Sequence, residues 1–267
     1  MPKVNPKDMK PQVYKDPRPK EDFDHYHALV RDHEPESKVY EIVRISTVVW
    51  ALLAYRARGF GAENVPTTGP VILAPNHFSQ WDHFFAAVYL PRKIQFMAKS
   101  QLFTNPAIKY IFKHGGVFPV RRGHHDEEAF VTANTILDRG GTMLMYAEGG
   151  RSRTGDLGEP KRGVGKIALE SGAPVVPVAI HGSAHVRGWR RLQFPKVTIQ
   201  YGEPVTFPVN ADPDRDQEQR AANQVFDRVR AMYVDLEENG RRDVLKRLRE
   251  GLPAASPSPD PTEIGSR

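Results

Sequence analysis

A histidine and an aspartate five positions apart, His77 and Asp82, are the residues whose types and spacing most directly suggest chemistry in this chain. They follow a short apolar run at residues 71–74, which has the composition of a buried strand, and Pro75 ends the strand pairing. Two residues five apart on one regular helix lie about 140° apart around its axis, so a turn must separate them if they are to meet. With a helix beginning near residues 80–82, Asp82 would accept the proton of one imidazole nitrogen and leave the other nitrogen as a base. The alternative is a capped helix start beside a half-buried histidine, and the spacing alone, which occurs often by chance, favours that simpler interpretation.

Two adjacent arginines, Arg121 and Arg122, follow a second apolar stretch at residues 116–120. Neighbouring guanidiniums at the end of a strand form a fork that suits the oxygens of a phosphate group. The residues by themselves favour the simpler interpretation, a solvated pair of cations at a strand end.

A third polar group follows the apolar residues 142–147 and consists of Glu148, Gly149, Gly150 and Arg151. The two glycines would let backbone amides approach a ligand closely, and Arg151 would add a second phosphate contact. The alternative is an ordinary loop with an acidic start and a glycine turn.

Composition restricts the classes of partner and of chemistry. The 267 residues include 38 Lys and Arg against 32 Asp and Glu, which gives a net charge of +6 and a pI near 9.4. Such a surface favours anionic partners, and nucleic acid, anionic lipid and phosphorylated substrates all qualify. The absence of cysteine excludes disulfides, thiolate metal sites and a cysteinyl acyl-enzyme, and nothing requires an oxidising compartment. No apolar segment follows the N-terminus, so a cleaved signal peptide is not expected.

Apolar runs of strand length alternate with amphipathic segments of helix length. The predicted strands are residues 71–74, 94–98, 117–120, 143–147, 175–180 and 197–201. The predicted helices are residues 82–89, 106–112, 126–138, 161–170 and 216–239. This alternation predicts an α/β fold with a mostly parallel sheet flanked by helices. In such sheets the ligand site lies beyond the strand ends, where all three polar groups fall.

The flanking segments differ in character. Residues 1–37 are charged and proline-rich, which predicts a flexible arm with a helical turn or two near residues 24–32. Residues 38–58 form an apolar helix whose uninterrupted apolar core is too short for a bilayer span, which needs about 20 residues. This helix suits either a membrane-interfacial anchor or a cover for the sheet, and the sequence leaves both open. The proline-rich tail at residues 251–267 is predicted to be disordered.

In chain order, these polar blocks resemble those of the glycerolipid acyltransferase family, whose best-known members are the 1-acylglycerol-3-phosphate, or lysophosphatidic acid, acyltransferases. The first block fits the family pattern N-H-x-S-x-x-D through Asn76, His77, Ser79 and Asp82. The resemblance covers residues 59–205, which makes residues 59–250 the expected acyltransferase domain.

The later blocks fit less completely. Arg122 matches the constant arginine of the second family block, and Arg121 occupies the variable position before it. The family's third pattern, F-P-E-G-T-R-S, is matched at Glu148, Gly149, Arg151 and Ser152. The same pattern is missed at Tyr146, Ala147 and Gly150, and the absent threonine weakens a simple assignment to lysophosphatidic acid. A fourth block, Val-Pro-Val at residues 176–178, lines the acyl site in the family.

The resemblance implies an acyltransferase that moves a fatty acyl group from acyl-CoA or acyl carrier protein to a lysophospholipid hydroxyl. The most direct acceptor is 1-acylglycerol-3-phosphate, which would give phosphatidic acid. The implied roles are catalysis for His77, as the base, and Asp82, and substrate binding for Arg121, Arg122, Glu148, Gly149 and Arg151. Neither a metal nor a cofactor is expected beyond the acyl donor.

The resemblance also implies a partner surface and leaves alternatives. The expected location is the cytoplasmic face of an anionic membrane, as a peripheral or monotopic protein, without nucleic acid as a partner. The acceptor could instead be another lysophospholipid or a glycolipid. A rival of another class is a non-catalytic anionic-lipid-binding protein on the same fold, although the intact His77 and Asp82 argue against it.

Overall fold

A computed structural model describes residues 16–121, 126–152, 154–186 and 194–250 of the chain. Within these ranges one mixed sheet forms the centre of the fold. Its strands are β1 (Arg58–Phe60), β2 (Val71–Pro75), β3 (Ile94–Lys99), β4 (Phe118–Val120), β5 (Thr142–Leu144), β6 (Val175–His181) and β7 (Thr198–Tyr201). The described helices are α1 (Glu21–Asp32), α2 (Ser37–Ala54), α3 (Asp82–Ala87), α4 (Pro106–Gly115), α5 (Glu127–Asp138), α6 (Gly163–Ser171) and α7 (Arg215–Arg249).

The strand order is β1-β7-β6-β2-β5-β3-β4. The five strands from β6 to β4 run parallel to one another, whereas β7 is antiparallel to β6 and parallel to β1. The carboxyl ends of β2 to β6 therefore meet at one edge of the sheet. The start of β7 and the start of β1 lie at this same edge, because their direction is reversed.

Strand β2 lies at the centre and all five of its residues are buried. Its side chains alternate between the two faces, as the pleat requires. Ile72 and Ala74 pack into a core formed with α5, α6 and α7, while Val71 and Leu73 pack toward α2 and α3. A strand covered on both faces reads as a continuous apolar run, which is why its sequence shows no polar alternation.

The predicted α/β class with a mostly parallel sheet is confirmed, and each predicted strand overlaps an observed one. Strand β1 has no counterpart among the predictions, because three residues at a sheet edge carry no readable periodicity. Helix α7 extends beyond the predicted end at residue 239, and Gly240 interrupts it with φ 72° and ψ 162°. The predicted disordered tail at residues 251–267 lies outside the described residues.

Helix α1 differs from the expected flexible arm of residues 1–37. Instead of a helical turn or two, it has 12 residues and buries Phe23, Tyr26 and Val30, which form one stripe along the helix. His27 Nδ1 lies 2.9 Å from the hydroxyl of Thr132 on α5, which fixes α1 against the sheet layer. Charged residues between the apolar ones conceal this stripe in the sequence. Residues 1–15, which also belong to the predicted arm, lie outside the described ranges.

Helix α2 covers the sheet with its inner face, which is one of the two alternatives that its sequence left open, and the membrane-interfacial anchor stays a prediction. Its inner face packs on the protein, where Ala51 is fully buried and Trp50 contacts the rings of Trp81 and Phe85. Its outer face carries an exposed apolar stripe, consisting of Ile42, Ile45, Val49, Leu52 and Leu53. Leu53 is 77% exposed and Ile42 66% exposed. None of the described helices combines the length and apolar content needed to cross a bilayer.

Candidate active site

The sheet brings the sequence-predicted polar groups to one edge. His77 follows β2, Glu148 lies in the loop after the adjacent strand β5, and Arg121 follows β4, which β5 and β3 separate from β2. Arg151 lies in the same loop as Glu148, with an exposed side chain. Arg122 lies outside the described residues, so its predicted place beside Arg121 stays a prediction.

The imidazole of His77 is held by Asp82, as the spacing predicts. Asp82 Oδ2 lies 3.0 Å from His77 Nδ1 and also accepts the backbone amides of Phe78 and Ser79, each at 2.7 Å. Its side chain has no exposed surface. Because α3 begins at Asp82, the carboxylate returns from the first helical turn to the end of β2. Three donors on one oxygen offset the cost of burying this charge.

The hydrogen-bond pattern fixes the tautomer of His77. Backbone amides can only donate, so Asp82 Oδ2 is the acceptor in both of these hydrogen bonds and acts as a carboxylate oxygen. Nδ1 of His77 must then carry the proton that it shares with Oδ2. The Nε2 atom then keeps its lone pair, and no hydrogen bond to it forms among the described residues. The side chain of His77 remains 13% exposed, so the imidazole ring is partly open to a substrate. The geometry is that of an oriented general base.

The backbone of the turn is fixed at several points. Asn76 exchanges two hydrogen bonds with Ile180 of β6, since its amide nitrogen donates to the carbonyl at 3.1 Å and its oxygen accepts from the amide at 2.7 Å. The carbonyl of His77 accepts the amide of Ser152 at 2.8 Å. Ser79 Oγ accepts the amide of Trp81 at 3.3 Å, as expected of a hydroxyl that stabilises the turn. The turn is therefore held by β6 on one side and by the loop that follows β5 on the other.

Glu148 holds the same turn from the side of β5. One of its carboxylate oxygens accepts the amide of His77 at 2.7 Å, and the other accepts the amide of Gly158 at 2.6 Å. Burial raises the pKa of Glu148, while these two amides act in the opposite direction. With both oxygens occupied by the backbone, the geometry gives Glu148 a positioning role. Its predicted contact with substrate stays a prediction.

Tyr146 stands out in the sequence only as a departure from the family pattern, but the structure places its ring on His77. The two ring centroids are 3.7 Å apart and the planes differ by 14°. Burial raises the pKa of Tyr146 well above 10, so the phenol stays neutral. An aromatic residue at this position in the family pattern is the sequence signal for the role. The tyrosine ring keeps the stacking surface that a phenylalanine would provide.

The remaining predicted residues lie around this centre. Gly149 has φ +65°, in the left-handed region that favours glycine, and a Cβ there would lie 3.0 Å from the side chain of Lys161. The amide of Arg121 donates to Asp126 at 2.7 Å, and its Nε atom is buried without a hydrogen-bond partner in the described part of the chain. The predicted contact of Arg121 with a phosphate stays a prediction.

An apolar cavity next to the site was not predicted from the sequence, because the residues around it are dispersed along the chain. It lies between α2, α3 and α4, and its lining includes Val43, Val48, Phe84, Phe96, Ile111 and Phe112. His83, the neighbour of Asp82, also lines it, and burial lowers the pKa of His83 to about 3. A neutral imidazole keeps this cavity suited to an uncharged ligand.

The described residues do not meet the requirements of a metal site. No group of three His, Cys, Asp or Glu side chains lies together there in an arrangement that could hold a metal ion. The chemistry that the arrangement supports is proton transfer at His77.

Comparison with known proteins agrees with this geometry. The family model described as Acyltransferase matches residues 57–181, which include β1 to β6 and the turn of His77. The 1-acyl-sn-glycerol-3-phosphate acyltransferase of Bacillus subtilis is 30% identical over 147 residues, which cover 55% of this chain and 72% of that protein. The chain therefore belongs to the acyltransferase family, and the resemblance seen in its motifs is confirmed.

Other similar proteins carry the same description. A chloroplastic 1-acyl-sn-glycerol-3-phosphate acyltransferase of Brassica napus is 28% identical over 145 residues, and this region covers 52% of the chain and 42% of the relative. The chain thus spans less than half the length of that relative. The crystal structure of the 1-acyl-sn-glycerophosphate (LPA) acyltransferase PlsC from Thermotoga maritima matches with a TM-score of 0.59 and 21% identity. The match covers 80% of this chain and 89% of that one, and it shows a shared fold.

Replacing Tyr146 separates stacking from other effects of the ring. Tyr146→Phe should keep kcat within about twofold of the parent, whereas Tyr146→Leu should lower it about two- to tenfold, the range that an aromatic pair contributes. Release of thiol from an acyl thioester measures the rate, and thermal unfolding checks the fold. A Tyr146→Leu protein with unchanged kcat would show that the stacked ring does not position His77.

Proposed function

We propose that this protein transfers a fatty acyl group from an acyl thioester to the free hydroxyl of 1-acylglycerol-3-phosphate, which gives phosphatidic acid. The donor is acyl-CoA or an acyl carrier protein. The observation that carries the proposal is the buried Asp82 carboxylate, which orients His77 and leaves its Nε2 atom free. The names of the Bacillus subtilis and Brassica napus relatives support the acceptor.

In the proposed reaction His77 acts as general base. Its Nε2 atom removes the proton of the acceptor hydroxyl as the oxygen attacks the thioester carbon. The imidazolium that forms is stabilised by Asp82, which accepts a hydrogen bond from Nδ1 while the proton stays on the ring. The tetrahedral intermediate then breaks its carbon–sulfur bond, and the leaving thiolate takes the proton back from His77. Because a thioester is already activated, the chain needs no covalent acyl-enzyme, and it has no cysteine to form one.

The acyl chain has a suitable place beside the base. The apolar cavity begins at His83, one residue after Asp82, and continues between α2 and α4 toward Gly115. Its lining is mostly aliphatic and aromatic, with Arg44 and Thr47 of α2 as polar exceptions, and the apolar part favours a hydrocarbon chain over water. In this arrangement the carbonyl carbon of the thioester lies near His77 while the chain is buried under α2.

The acceptor phosphate is assigned to the cations at the same edge. Arg121 and Arg151 are the described candidates, and Arg122 joins them by its match to the family motif. Gly150 stands where the family has threonine, so the acceptor pocket differs from the family pattern at that position. A second candidate function, transfer to another lysophospholipid or to a glycolipid, rests on this difference.

The proposed location is the surface of an anionic membrane, on its cytoplasmic face. The exposed apolar stripe of α2 is a contiguous surface of the kind that marks a membrane or protein contact, and the net charge of +6 favours anionic lipid. A helix that lies in the interface would place the cavity beneath it close to the lipid chains.

Removing the base tests the mechanism. His77→Ala should lower kcat by about 10² to 10⁴ while the fold is kept, because the loss removes the proton acceptor at the strand end. Asp82→Asn should lower kcat in the same direction but less, since the imidazole stays and its tautomer is disturbed. His114→Ala, which removes a histidine paired with Glu36 on the surface, is the matched control. Near-parental kcat for His77→Ala would exclude the proposed base.

Replacing two arginines tests whether the acceptor carries a phosphate that they bind. Arg122→Ala and Arg151→Ala should each raise the KM for 1-acylglycerol-3-phosphate about tenfold or more, because each change removes a charge-assisted hydrogen bond to a group remote from the reacting hydroxyl. Arg220→Ala, at an exposed site on α7, should leave this KM unchanged. The same assays with a monoacylglycerol acceptor should show no change. An unaltered KM in both variants would favour an acceptor without a phosphate at this position.

Substitutions on the outer face of α2 test the proposed membrane location. The variant Ile45→Ser, Val49→Ser, Leu53→Ser should lose co-sedimentation with vesicles that contain anionic lipid, and the parent should bind more weakly at high salt. Trp50 is kept, because its ring packs on Trp81 and Phe85. Val131→Ser, an equally exposed apolar site on α5, is the control. Binding like the parent's by a folded triple variant would assign the membrane contact to another surface.

A further inference from the structure

Four arginines lie together where the end of α2 meets the last part of α7. Arg241 Nη1 donates to the carbonyl of Arg56 at 3.2 Å, and Arg56 Nη2 donates to the carbonyl of Phe194 at 2.6 Å. Burial lowers the pKa of Arg241, and the positive charges of Arg58, Arg242 and Arg56 lower it further. We call Arg56, Arg58, Arg241 and Arg242 the arginine cluster.

The arginine cluster is not neutralised by the protein. None of its four members forms an ion pair with a carboxylate in the described ranges, although other arginines that contact α7 do. Arg162 pairs with Glu218 at 2.9 Å, and Arg247 pairs with Asp235. Four neighbouring cations without a carboxylate repel one another, and a bound anion would relieve that repulsion.

The backbone adopts unusual conformations to form this cluster. Arg56 has φ +46° and is the one described residue other than glycine with positive φ. It follows the last turn of α2, a position that commonly belongs to glycine, and the amide of Ala57 closes the helix end on the carbonyl of Ala51 at 3.1 Å. On the other side, Gly240 breaks α7 with φ +72° immediately before Arg241. The chain keeps an arginine where glycine would be relaxed, which points to a use for its side chain.

The sheet register places the cluster on the edge that carries His77. Arg58 pairs with Thr198 of β7, and Thr198 pairs with His181, the last residue of β6. Strand β6 is the direct neighbour of β2. Three strand spacings therefore separate Arg58 from the strand of His77, a distance of roughly 14 Å.

This separation matches the length of a pantetheine arm. The arm that carries an acyl thioester has about thirteen bonds between its sulfur and its phosphate. Three backbone bonds make up one extended residue of about 3.3 Å, so the extended arm spans roughly 14 Å. The acyl cavity extends from the site toward β3, on the other side of β2 from β6 and β1. A thioester held at His77 would thus direct its acyl chain into the cavity and its carrier toward the arginine cluster.

We propose that the arginine cluster binds the phosphate at the end of the pantetheine arm of the acyl donor. The inference rests on the proposed acyl transfer and assigns a separate site within it. Coenzyme A and an acyl carrier protein both carry a phosphate at this distance from the thioester, and coenzyme A carries further phosphates beyond it. Guanidinium groups suit such oxygens by bidentate hydrogen bonding.

The test uses the full chain and three donors with the same acyl group: acyl-CoA, acyl-4′-phosphopantetheine and acyl-pantetheine, which lacks phosphate. The double variant Arg58→Ala, Arg242→Ala removes two exposed members, and Arg220→Ala is the control, about 30 Å before Arg241 along α7. The double variant should raise the KM for acyl-CoA about tenfold with little change in kcat. The KM for acyl-pantetheine and for the lysophospholipid acceptor should stay as in the parent.

The donors also distinguish the source of the phosphate. A raised KM for acyl-4′-phosphopantetheine indicates the phosphate that both carriers share, whereas an effect on acyl-CoA alone indicates the additional phosphates of coenzyme A. The first result supports the arginine cluster as the site of the arm phosphate, whereas the second overturns that assignment. Equal effects on all three donors, or no effect on any, would overturn it.

A binding measurement separates this inference from the proposed function. Titration calorimetry with coenzyme A alone should give a dissociation constant about tenfold weaker for the double variant than for the parent and for Arg220→Ala. This readout needs no turnover, so a protein without acyl transfer activity can still confirm or exclude the site. Unchanged affinity for coenzyme A would overturn the proposed site, and a loss confined to vesicle binding would assign the cluster to a membrane contact instead.

The variant Arg56→Gly distinguishes a binding role of Arg56 from a structural one, because it should affect donor binding and thermal stability differently. Glycine relaxes the positive φ of residue 56, so thermal stability should be kept or increased. The KM for acyl-CoA should nevertheless rise, because a cation of the cluster is lost. A stable Arg56→Gly protein with the parent's affinity for coenzyme A would count against the inference.

Discussion

The hydrogen bonds to Asp82 Oδ2 are the interaction on which the site depends. One buried oxygen accepts the imidazole of His77 and the amides of Phe78 and Ser79. All three donors belong to the turn that separates β2 from α3, so the buried carboxylate and the conformation of the turn stabilise each other. A buried carboxylate without these donors would be costly, and a turn without the carboxylate would leave two buried amides unsatisfied. The orientation of the base is therefore a consequence of how this turn folds.

A second buried carboxylate extends this dependence across the sheet. Glu148 connects the amide of His77 to the amide of Gly158, in the loop that follows β5. The nearby charge of Asp82 contributes to its raised pKa, so the two acidic groups lie close enough to disfavour each other. Backbone amides offset part of that cost on both sides. Negative charge is thus concentrated beneath the base, while the cations that suit phosphate groups lie farther along the same edge.

The sequence predicts those parts of the structure that depend on short stretches of chain. The pair of His77 and Asp82 lies within one turn, and the central strands are continuous apolar runs, so spacing and composition suffice for both. Glu148 is different, because its contact with His77 joins residues 71 positions apart and appears only when β5 pairs with β2. Strand β1 is too short for a pattern, and charged neighbours mask the apolar stripe of α1. The cavity and the arginine cluster are assembled from distant segments, which no local pattern can reveal.

Helix α2 connects the site to its surroundings because it is apolar on two sides. Its inner side lines the cavity that begins at His83, and its outer stripe, which includes Ile42 and Leu53, is exposed. A helix that is apolar over most of its circumference is stable on a protein surface only when its outer side is also covered. If lipid provides that cover, the hydrocarbon region outside α2 and the cavity inside it are separated by the width of one helix. An acyl chain could then reach His77 from the membrane with little exposure to water, while the polar carrier approaches from the opposite side of the strand edge. The strand order keeps these approaches apart, because the cavity lies toward β3 on one side of β2 and the arginine cluster lies at β1 on the other side.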